Sequence, residues 1–453
     1  MCKINIKSFF SIIISKMVLK LSKTLFKGGT NFPGKVALKL DKKILKTVAK
    51  DYKVILVTGT NGKTTTTSMI YNMIKDSNKF VISNSTGANM FPGIVACFVE
   101  NFSFNNKEEK YAVIEVDEAN VKFITEYVSP EIITITNLFR DQLDRYGEVY
   151  TTLKKILEGI EKSPNSKLIL NGDESLLGDL NNSLPNKVLY YGFSHFKNAD
   201  TVIDVNADSK FCKKCKHPYS YEFLTYNHLG SYYCENCGYK RPNITFSLDE
   251  VEDLTPEGSL VIIDNQEYYI NQPGLYNVYN ALCAYSMAKT LGIEKSIIFN
   301  SLKSQKSSFG RQESINIEGK DVKIILVKNP AGYGQAINTI VLDKKKLNLA
   351  LLLNDNYADG RDVSWIWDVK FEKLKSLDID NILISGVRLY DMAIRLKIAG
   401  LPNEKFKISQ NHDDLLEDIK SCREETVYIL ATYTAMTSFR KFLNSKGYIK
   451  KLW

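Results

Sequence analysis

The run Val54-Ile55-Leu56-Val57, followed at once by Thr58-Gly59-Thr60-Asn61-Gly62-Lys63-Thr64, restricts this chain more than any other stretch. A short β-branched run ends in a glycine-rich turn, and residues 65–74 then space their apolar side chains at the period of a helix. That order is strand, loop, helix, the setting a phosphate-cradling loop requires. Glycines at 59 and 62 let backbone N–H groups turn toward an anion, and the helix adds its positive end. Gly59, Asn61, Gly62, Lys63, Thr64 and Thr65 are therefore candidate ATP-binding residues. Lys63 supplies a cation to the β- and γ-phosphates, and the Thr64 hydroxyl is a ligand for Mg²⁺. Val57 stands where the strict pattern has its first glycine, so the spacing is a variant. The competing reading is a plain glycine turn between strand and helix.

Further strand-like runs lie at residues 80–83, 111–116, 132–136 and 167–170, with helical patterns between several of them. Short buried strands alternating with helices imply an α/β fold with a mostly parallel sheet covered on both faces. Residues 205–245 break this rhythm with cysteines, tyrosines and basic residues, and it returns at 260–300. Residues 304–311 read as a linker, and new strands follow at 323–327, 347–353, 381–384 and 427–430. A chain of 453 residues is too long for one ordinary core. The expected division is a helical segment at 1–45, a central ATP-binding domain at 46–303 and a second α/β domain at 304–453.

Cys212-x-x-Cys215 and Cys234-x-x-Cys237 lie 18 residues apart. Two such knuckles deliver four thiolates, the donor set of a tetrahedral zinc ribbon, inserted here at about 205–245. Four protein ligands leave no open position, so such a site is structural. His217 and His228 lie within the ribbon and read as neighbours of the site or surface residues before ligands.

Glu115, with Asp117 and Glu118, closes a buried strand, where carboxylates are placed to hold a metal beside the phosphate loop. A solvated strand end is the alternative. Asn277 and Asn280 share one helix face by their spacing. Residues 354–368 contain four aspartates and two of the three tryptophans after a strand, and read as either a site or a capped turn.

The balance of 60 basic against 51 acidic side chains gives +9. This fits a lysine-rich soluble protein or attraction to nucleotides, lipid phosphates or a membrane face. Residues 9–15 imitate the core of a signal peptide, but Lys16 and Lys20 interrupt the run. An amphipathic helix packed on the protein is expected, with contact to a membrane surface as the alternative. Scattered thiols and the lack of a run of about 20 apolar residues point to the cytoplasm.

Taken together, these residues resemble the Mur ligases. Residues 58–66 resemble their ATP loop, and 136–147 resemble a second stretch of theirs, with Gln142 and Tyr146 in place of histidines. Asn277 and Asn280 match their adenine-side helix, Gly310-Arg311 matches the dipeptide opening their C-terminal domain, and residues 328–332 match an Asn-Pro loop. The zinc ribbon, the aspartate-tryptophan loop and the lack of a sugar-nucleotide domain resemble the MurT branch.

The resemblance implies a Mur ligase-like central P-loop domain with an inserted four-cysteine zinc ribbon and a Rossmann-like C-terminal domain. It implies the synthetase subunit of lipid II isoglutaminyl synthase, a carbon-nitrogen ligase using ATP, Mg²⁺ and structural Zn²⁺. The D-glutamate α-carboxylate of the lipid II stem peptide would be activated as an acyl phosphate and amidated to D-isoglutamine. Ammonia would come from a GatD-type glutamine amidotransferase in a heterodimer, working at the inner face of the plasma membrane. Arg311 would help balance charge on the moving phosphoryl group. An aspartate of the tryptophan loop, Asp362 before Asp359, would complete the partner's catalytic Cys-His pair. No position matches the carbamylated lysine of some Mur ligases. One alternative is a stand-alone Mur-type ligase adding an amino acid. Another, a ribbon-bearing ATPase on nucleic acid, leaves most of these motifs unused, so no nucleic-acid partner is expected.

Overall fold

The structure, a computed structural model, describes residues 5–26, 31–84, 88–104, 109–140, 149–197, 199–203, 207–306 and 311–450; the side chains of 23–26 and 311–312 lie outside that description. Two sheets organise it. The first contains β1 (Tyr52–Thr58), β2 (Phe80–Ser83), β3 (Lys110–Glu115), β4 (Ile132–Ile135), β5 (Lys167–Asn171) and β6 (Val188–Phe193). A separate hairpin, β7 (Ser220–Tyr226) and β8 (Leu229–Tyr233), interrupts the count before β9 (Phe246–Leu254), β10 (Ser259–Ile263) and β11 (Gln266–Ile270) complete the sheet. Its strand order is β11-β10-β9-β6-β5-β4-β1-β3-β2. Pairing is parallel from β2 to β9 and antiparallel from β9 to β11.

Alternation along β1 shows why this sheet must be covered twice. Ile55 and Val57 enter a core with the helices Lys63–Asp76 and Leu275–Thr290. Val54 and Leu56 enter the opposite core, beneath the helices Asn31–Leu40, Ile44–Val48 and Phe91–Asn101. Successive side chains of a strand point to opposite faces, so a strand apolar throughout needs helices on both.

The second sheet contains β12 (Arg311–Ile317), β13 (Lys320–Leu326), β14 (Leu347–Leu352), β15 (Ile379–Ser385), β16 (Phe406–Ile408) and β17 (Thr426–Ala431). Its order is β12-β13-β17-β14-β15-β16, parallel except for β12. It too has a core on each face. Of the edge hairpins β10–β11 and β12–β13, only β13 coincides with an expected strand, the run at 323–327. Both hairpins turn on two residues of positive φ, Asp264-Asn265 and Glu318-Gly319. Such turns match the twist of paired strands and are a local signal for a hairpin.

The β7–β8 hairpin docks on the loop after β5 through buried charge. His228 Nε2 lies 2.8 Å from Glu174 Oε2, and neither side chain reaches solvent. Glu174 also accepts hydrogen bonds from the N–H groups of Leu138 and Leu176. Arg241 pairs with the buried Asp173, which also accepts from Tyr279 Oη at 2.7 Å. His228 is thus a core residue of the ribbon, paired away from the four cysteines.

Glu174→Ala leaves that imidazole buried without its carboxylate and is expected to cost about 3 kcal/mol in urea unfolding. Burial opposes the charge on His228, but Glu174 outweighs it and raises its pKa above the ordinary histidine value. A raised folded-state pKa stabilises fully below the unfolded value of about 6.5 and is lost as pH rises through the folded value. The stability difference between the wild type and His228→Gln is therefore expected to be larger at pH 6 than at pH 9.

Candidate functional site

The loop after β1 is fastened from behind by the segment that follows β4, because β4 pairs directly with β1. Asn61 N donates to Asn137 Oδ1 at 2.9 Å, while Asn61 O accepts from Thr136 Oγ1 at 2.7 Å and Asn137 Nδ2 at 3.1 Å. Thr60 N donates to Asn137 O at 2.9 Å. Gly59 and Gly62 have φ of +119° and +83°. A Cβ on Gly62 would lie 2.1 Å from Asn280 Oδ1, so glycine is required there for conformation and for space. The helix Lys63–Asp76 then begins, and its first N–H groups have no acceptor within the helix.

Lys63 is buried and folded back on its own loop. Its ammonium donates to Gly59 O, to Thr60 O at 3.3 Å and to Glu118 Oε1 at 3.0 Å. Burial opposes its charge, yet the carboxylates of Glu118, Glu115 and Asp117 together raise its pKa above the usual lysine value. Burial likewise pushes the Glu118 carboxyl up, against the pull of Lys63 and Lys328.

The three acidic residues at the end of β3 have different partners. Glu115 Oε1 accepts from Asn89 Nδ2 at 3.1 Å. Asp117 caps the short turn that follows, accepting from Ala119 N and Asn120 Nδ2. Glu118 is the partner of Lys63, a pairing that local spacing did not reveal. Thr64 and Thr65 lie in the first helical turn, with Thr65 buried.

Asn277 and Asn280 do share a face. Asn280 Nδ2 donates to Asn277 Oδ1 at 3.1 Å, and Thr66 Oγ1 donates to Asn280 Oδ1 at 3.3 Å. Beside the start of this helix, a cleft of about 720 Å³ opens between the two sheet units. Gly274, Leu275, Gln335, Asn338, Thr339 and Leu342 are among its lining residues.

The second unit reaches the phosphate loop directly. Lys328 Nζ donates to Thr60 O at 3.2 Å, and the amides of Asn61 and Asn329 pair at 3.4 and 3.2 Å. Asn329 also caps the helix Pro330–Ile340, accepting from Gly332 N at 2.8 Å. Arg140 and Asp368 form another bridge between the units at 3.6 Å. Arg311 begins β12, but its side chain lies outside the described residues. Gly310 and residues 141–148, including Gln142 and Tyr146, also lie outside them.

The aspartates after β14 are not equivalent. Asp359 is buried and accepts from Thr434 N at 2.7 Å and from Asn356 N at 3.2 Å. Its burial outweighs these hydrogen bonds and raises its pKa. Asp355 faces Arg388 at 3.7 Å, and Asp368 faces Arg140. Asp362 is exposed, and its carboxylate accepts only from Ser364 N, at 2.8 Å, among the described residues. The turn around it is pinned by Trp365 against Tyr333 and by Arg395 over Trp367.

In the ribbon, the four Sγ atoms of Cys212, Cys215, Cys234 and Cys237 lie within 4.8 Å of one another. Cys212–Cys237 and Cys215–Cys234 are 3.6 and 3.4 Å apart. A tetrahedron with metal–sulfur bonds of about 2.3 Å has edges of about 3.8 Å, so the cluster can hold a metal ion. Each knuckle turns on a residue of positive φ after its second cysteine, Lys216 and Gly238.

Comparison with known proteins identifies two families along the chain. Residues 57–239 match the Mur ligase middle domain, and residues 326–436 match the MurT ligase C-terminal domain. The chain is 42% identical over 423 residues to the lipid II isoglutaminyl synthase (glutamine-hydrolyzing) subunit MurT of Streptococcus pneumoniae, covering 93% of this chain and 94% of that protein. It is 34% identical to the same subunit of Staphylococcus aureus, covering 87% and 88%. Among solved structures, a pseudomurein peptide ligase type C from Methanothermus fervidus superposes with a TM-score of 0.67 at 22% identity, over 91% of this chain and 84% of that one.

Gly62→Ala is expected to weaken nucleotide binding at least tenfold in calorimetry, because the methyl group displaces Asn280 and strains the loop. Retained affinity would mean that this turn does not receive the phosphates.

Proposed function

The chain belongs to the Mur ligase family, in its MurT branch, and its function is that of a lipid II isoglutaminyl synthase subunit; from that premise we propose how its residues divide the work. It is an ATP-dependent carbon-nitrogen ligase. The γ-phosphoryl group of ATP passes to an oxygen of the D-glutamate α-carboxylate in the stem peptide, and ADP leaves. The lone pair of ammonia attacks the acyl carbon, the acyl C–O bond breaks, and phosphate departs as the nitrogen loses a proton. A carboxylate is a poor acyl donor, and this transfer makes it a good one.

The observation that carries the reading is the approach of Lys328 and Asn329 to the loop at Thr60 and Asn61, which closes a nucleotide site between two units. Gly59, Gly62 and the first helical turn present N–H groups to the phosphates. Lys63 turns from its carbonyl partners to the β- and γ-phosphates, and Arg311 assists across the units. The base enters the cleft beside Gly274 and Asn277. Thr64 and Glu115 offer the hard oxygen ligands that suit Mg²⁺, which when bound neutralises phosphate charge. The four cysteines suit structural Zn²⁺.

Ammonia comes from a GatD-type amidotransferase held as a heterodimer. Asp362 orients the partner's catalytic histidine, a role open to an exposed carboxylate and closed to Asp359, which Thr434 occupies. The work takes place at the inner face of the plasma membrane. Among the described residues, no helix is long and apolar enough to cross a membrane.

In the complex, Asp362→Asn is expected to abolish glutamine-driven amidation of lipid II and to spare amidation with added ammonium. Equal loss of both would remove Asp362 from the partner's site. The purified chain is expected to contain one zinc per molecule by elemental analysis, and Cys234→Ser to lose it with a lower melting temperature.

A further inference from the structure

The first helix, Ile6–Phe26, is inside out. A helix on a globular protein buries its apolar stripe and exposes its polar face. Here Ser8, Ser11 and Ser15 are buried, and Ser8 and Ser11 donate to Asp41 and to the Ala37 carbonyl. Ile12 is the one large apolar side chain among the described residues that this helix buries fully. The opposite face carries Ile6, Phe10, Ile14, Met17 and Leu21, exposed by 77, 56, 39, 60 and 60%. Their spacing of four, four, three and four residues sets them in one line. At 1.5 Å per residue the helix is about 30 Å long, so the stripe is a ridge.

Charge borders the ridge. At 100° per residue, Lys7 falls on one side of the stripe and Lys20 on the other, Lys16 beyond Lys20 donates to the Phe102 carbonyl at 2.6 Å, and the helix contains no acidic residue. The segregation extends beyond it. The first 50 residues contain twelve lysines and one acidic residue, a net +11, whereas the whole chain has +9. The remaining 403 residues are therefore slightly acidic, and the basic character of this protein belongs to its first 50 residues.

We propose that this helix lies flat on an anionic lipid surface, with Phe10, Met17 and Leu21 among the acyl chains and the exposed Lys7 and Lys20, one on each side of the ridge, at the headgroups. A ridge of aromatic and aliphatic side chains between lysines is the pattern of an in-plane helix, and the lysines supply the complementary charge. The next helix, Asn31–Leu40, starts against the helix Phe91–Asn101, which follows Asn89: a Cβ on Gly93 would lie 2.6 Å from Asn31 Oδ1, and Asn89 donates to Glu115. The lipid-facing surface and the carboxylate edge of the site are thus joined by two helices in contact. The inference takes its lipid-linked substrate from the reading above, and its own evidence is the exposed ridge and the confined charge.

The test uses the full chain in complex with its amidotransferase partner and vesicle co-flotation. Wild type is expected to float with phosphatidylglycerol vesicles, more weakly with phosphatidylcholine alone, and less as salt rises. The triple variant Phe10→Gln, Met17→Gln, Leu21→Gln is expected to lose at least about tenfold in partitioning. Its melting temperature should not change, because these side chains already face outward. Amidation of substrate in detergent micelles should also be unchanged, whereas amidation of substrate in vesicles should fall. Three results would overturn the inference: no flotation of the wild-type complex, flotation indifferent to the ridge, or a dimer that the triple variant splits, which would assign the ridge to a second copy. Failure of amidation in micelles by the wild type would instead overturn the enzymatic reading and leave flotation to be judged separately.

Discussion

The grip on Asn61 is the constraint from which the site is built. A phosphate loop has to aim N–H groups outward, so its own carbonyls must be satisfied from behind. Thr136 and Asn137 do this for Asn61, and they are in reach only because β4 lies next to β1 in register, with Thr58 opposite Ile135. Asn280 closes on Gly62 from the helix packed above, and Asn329 meets the Asn61 side chain from the second unit. Three asparagines from three remote segments converge on three residues. The position is the one parallel sheets favour for ligands, outside the carboxyl ends of adjacent strands.

Buried charge follows from that geometry. A lone buried ion is costly, so those here are paired or hydrogen-bonded. Lys63 is enclosed by its own carbonyls and by Glu118, and Glu118 also feels Lys328 of the second unit. The second unit therefore contributes to the charge balance of the carboxyl-end cluster. Lys328 stands on the loop after β13 and donates to Thr60 O at 3.2 Å, beside the same cluster.

What the sequence disclosed was chemistry confined to one short segment. The glycine turn before Lys63, the two CxxC knuckles and the paired asparagines at 277 and 280 each carry a spacing that local backbone geometry enforces. What it concealed was pairing between distant segments. Nothing near Glu118 announces Lys63, 55 residues away, and nothing near His228 announces Glu174, 54 residues away. The hairpins at Asp264-Asn265 and Glu318-Gly319 had a local signal in their two-residue turns, masked by charged flanks such as Glu267 on the edge strand β11 and Lys320 and Asp321 on β13. The helix Ile6–Phe26 had been expected to be amphipathic, but sequence periodicity locates a stripe without saying which face the protein takes. Serine hydrogen bonds to Ala37 and Asp41 decided that.

The ribbon's place in the chain also follows from the grip on Asn61. It is inserted between β6 and β9, which are parallel neighbours with Tyr191 opposite Phe246, so the chain leaves and re-enters the sheet without interrupting it. Its two cysteine knuckles sit at the end of a small hairpin that has little core of its own. From that hairpin Arg241 holds Asp173, His228 holds Glu174 and Tyr239 Oη donates to Ser175 O at 2.7 Å. The same loop then turns the other way: Glu174 accepts from Leu138 N at 3.1 Å, and Asn171 Nδ2 donates to Thr136 O at 3.2 Å. Thr136 is the residue that holds Asn61. A continuous set of contacts therefore runs from four cysteines to the phosphate loop. The four-cysteine cluster thus stands at one end of the bracing on which the loop after β1 rests.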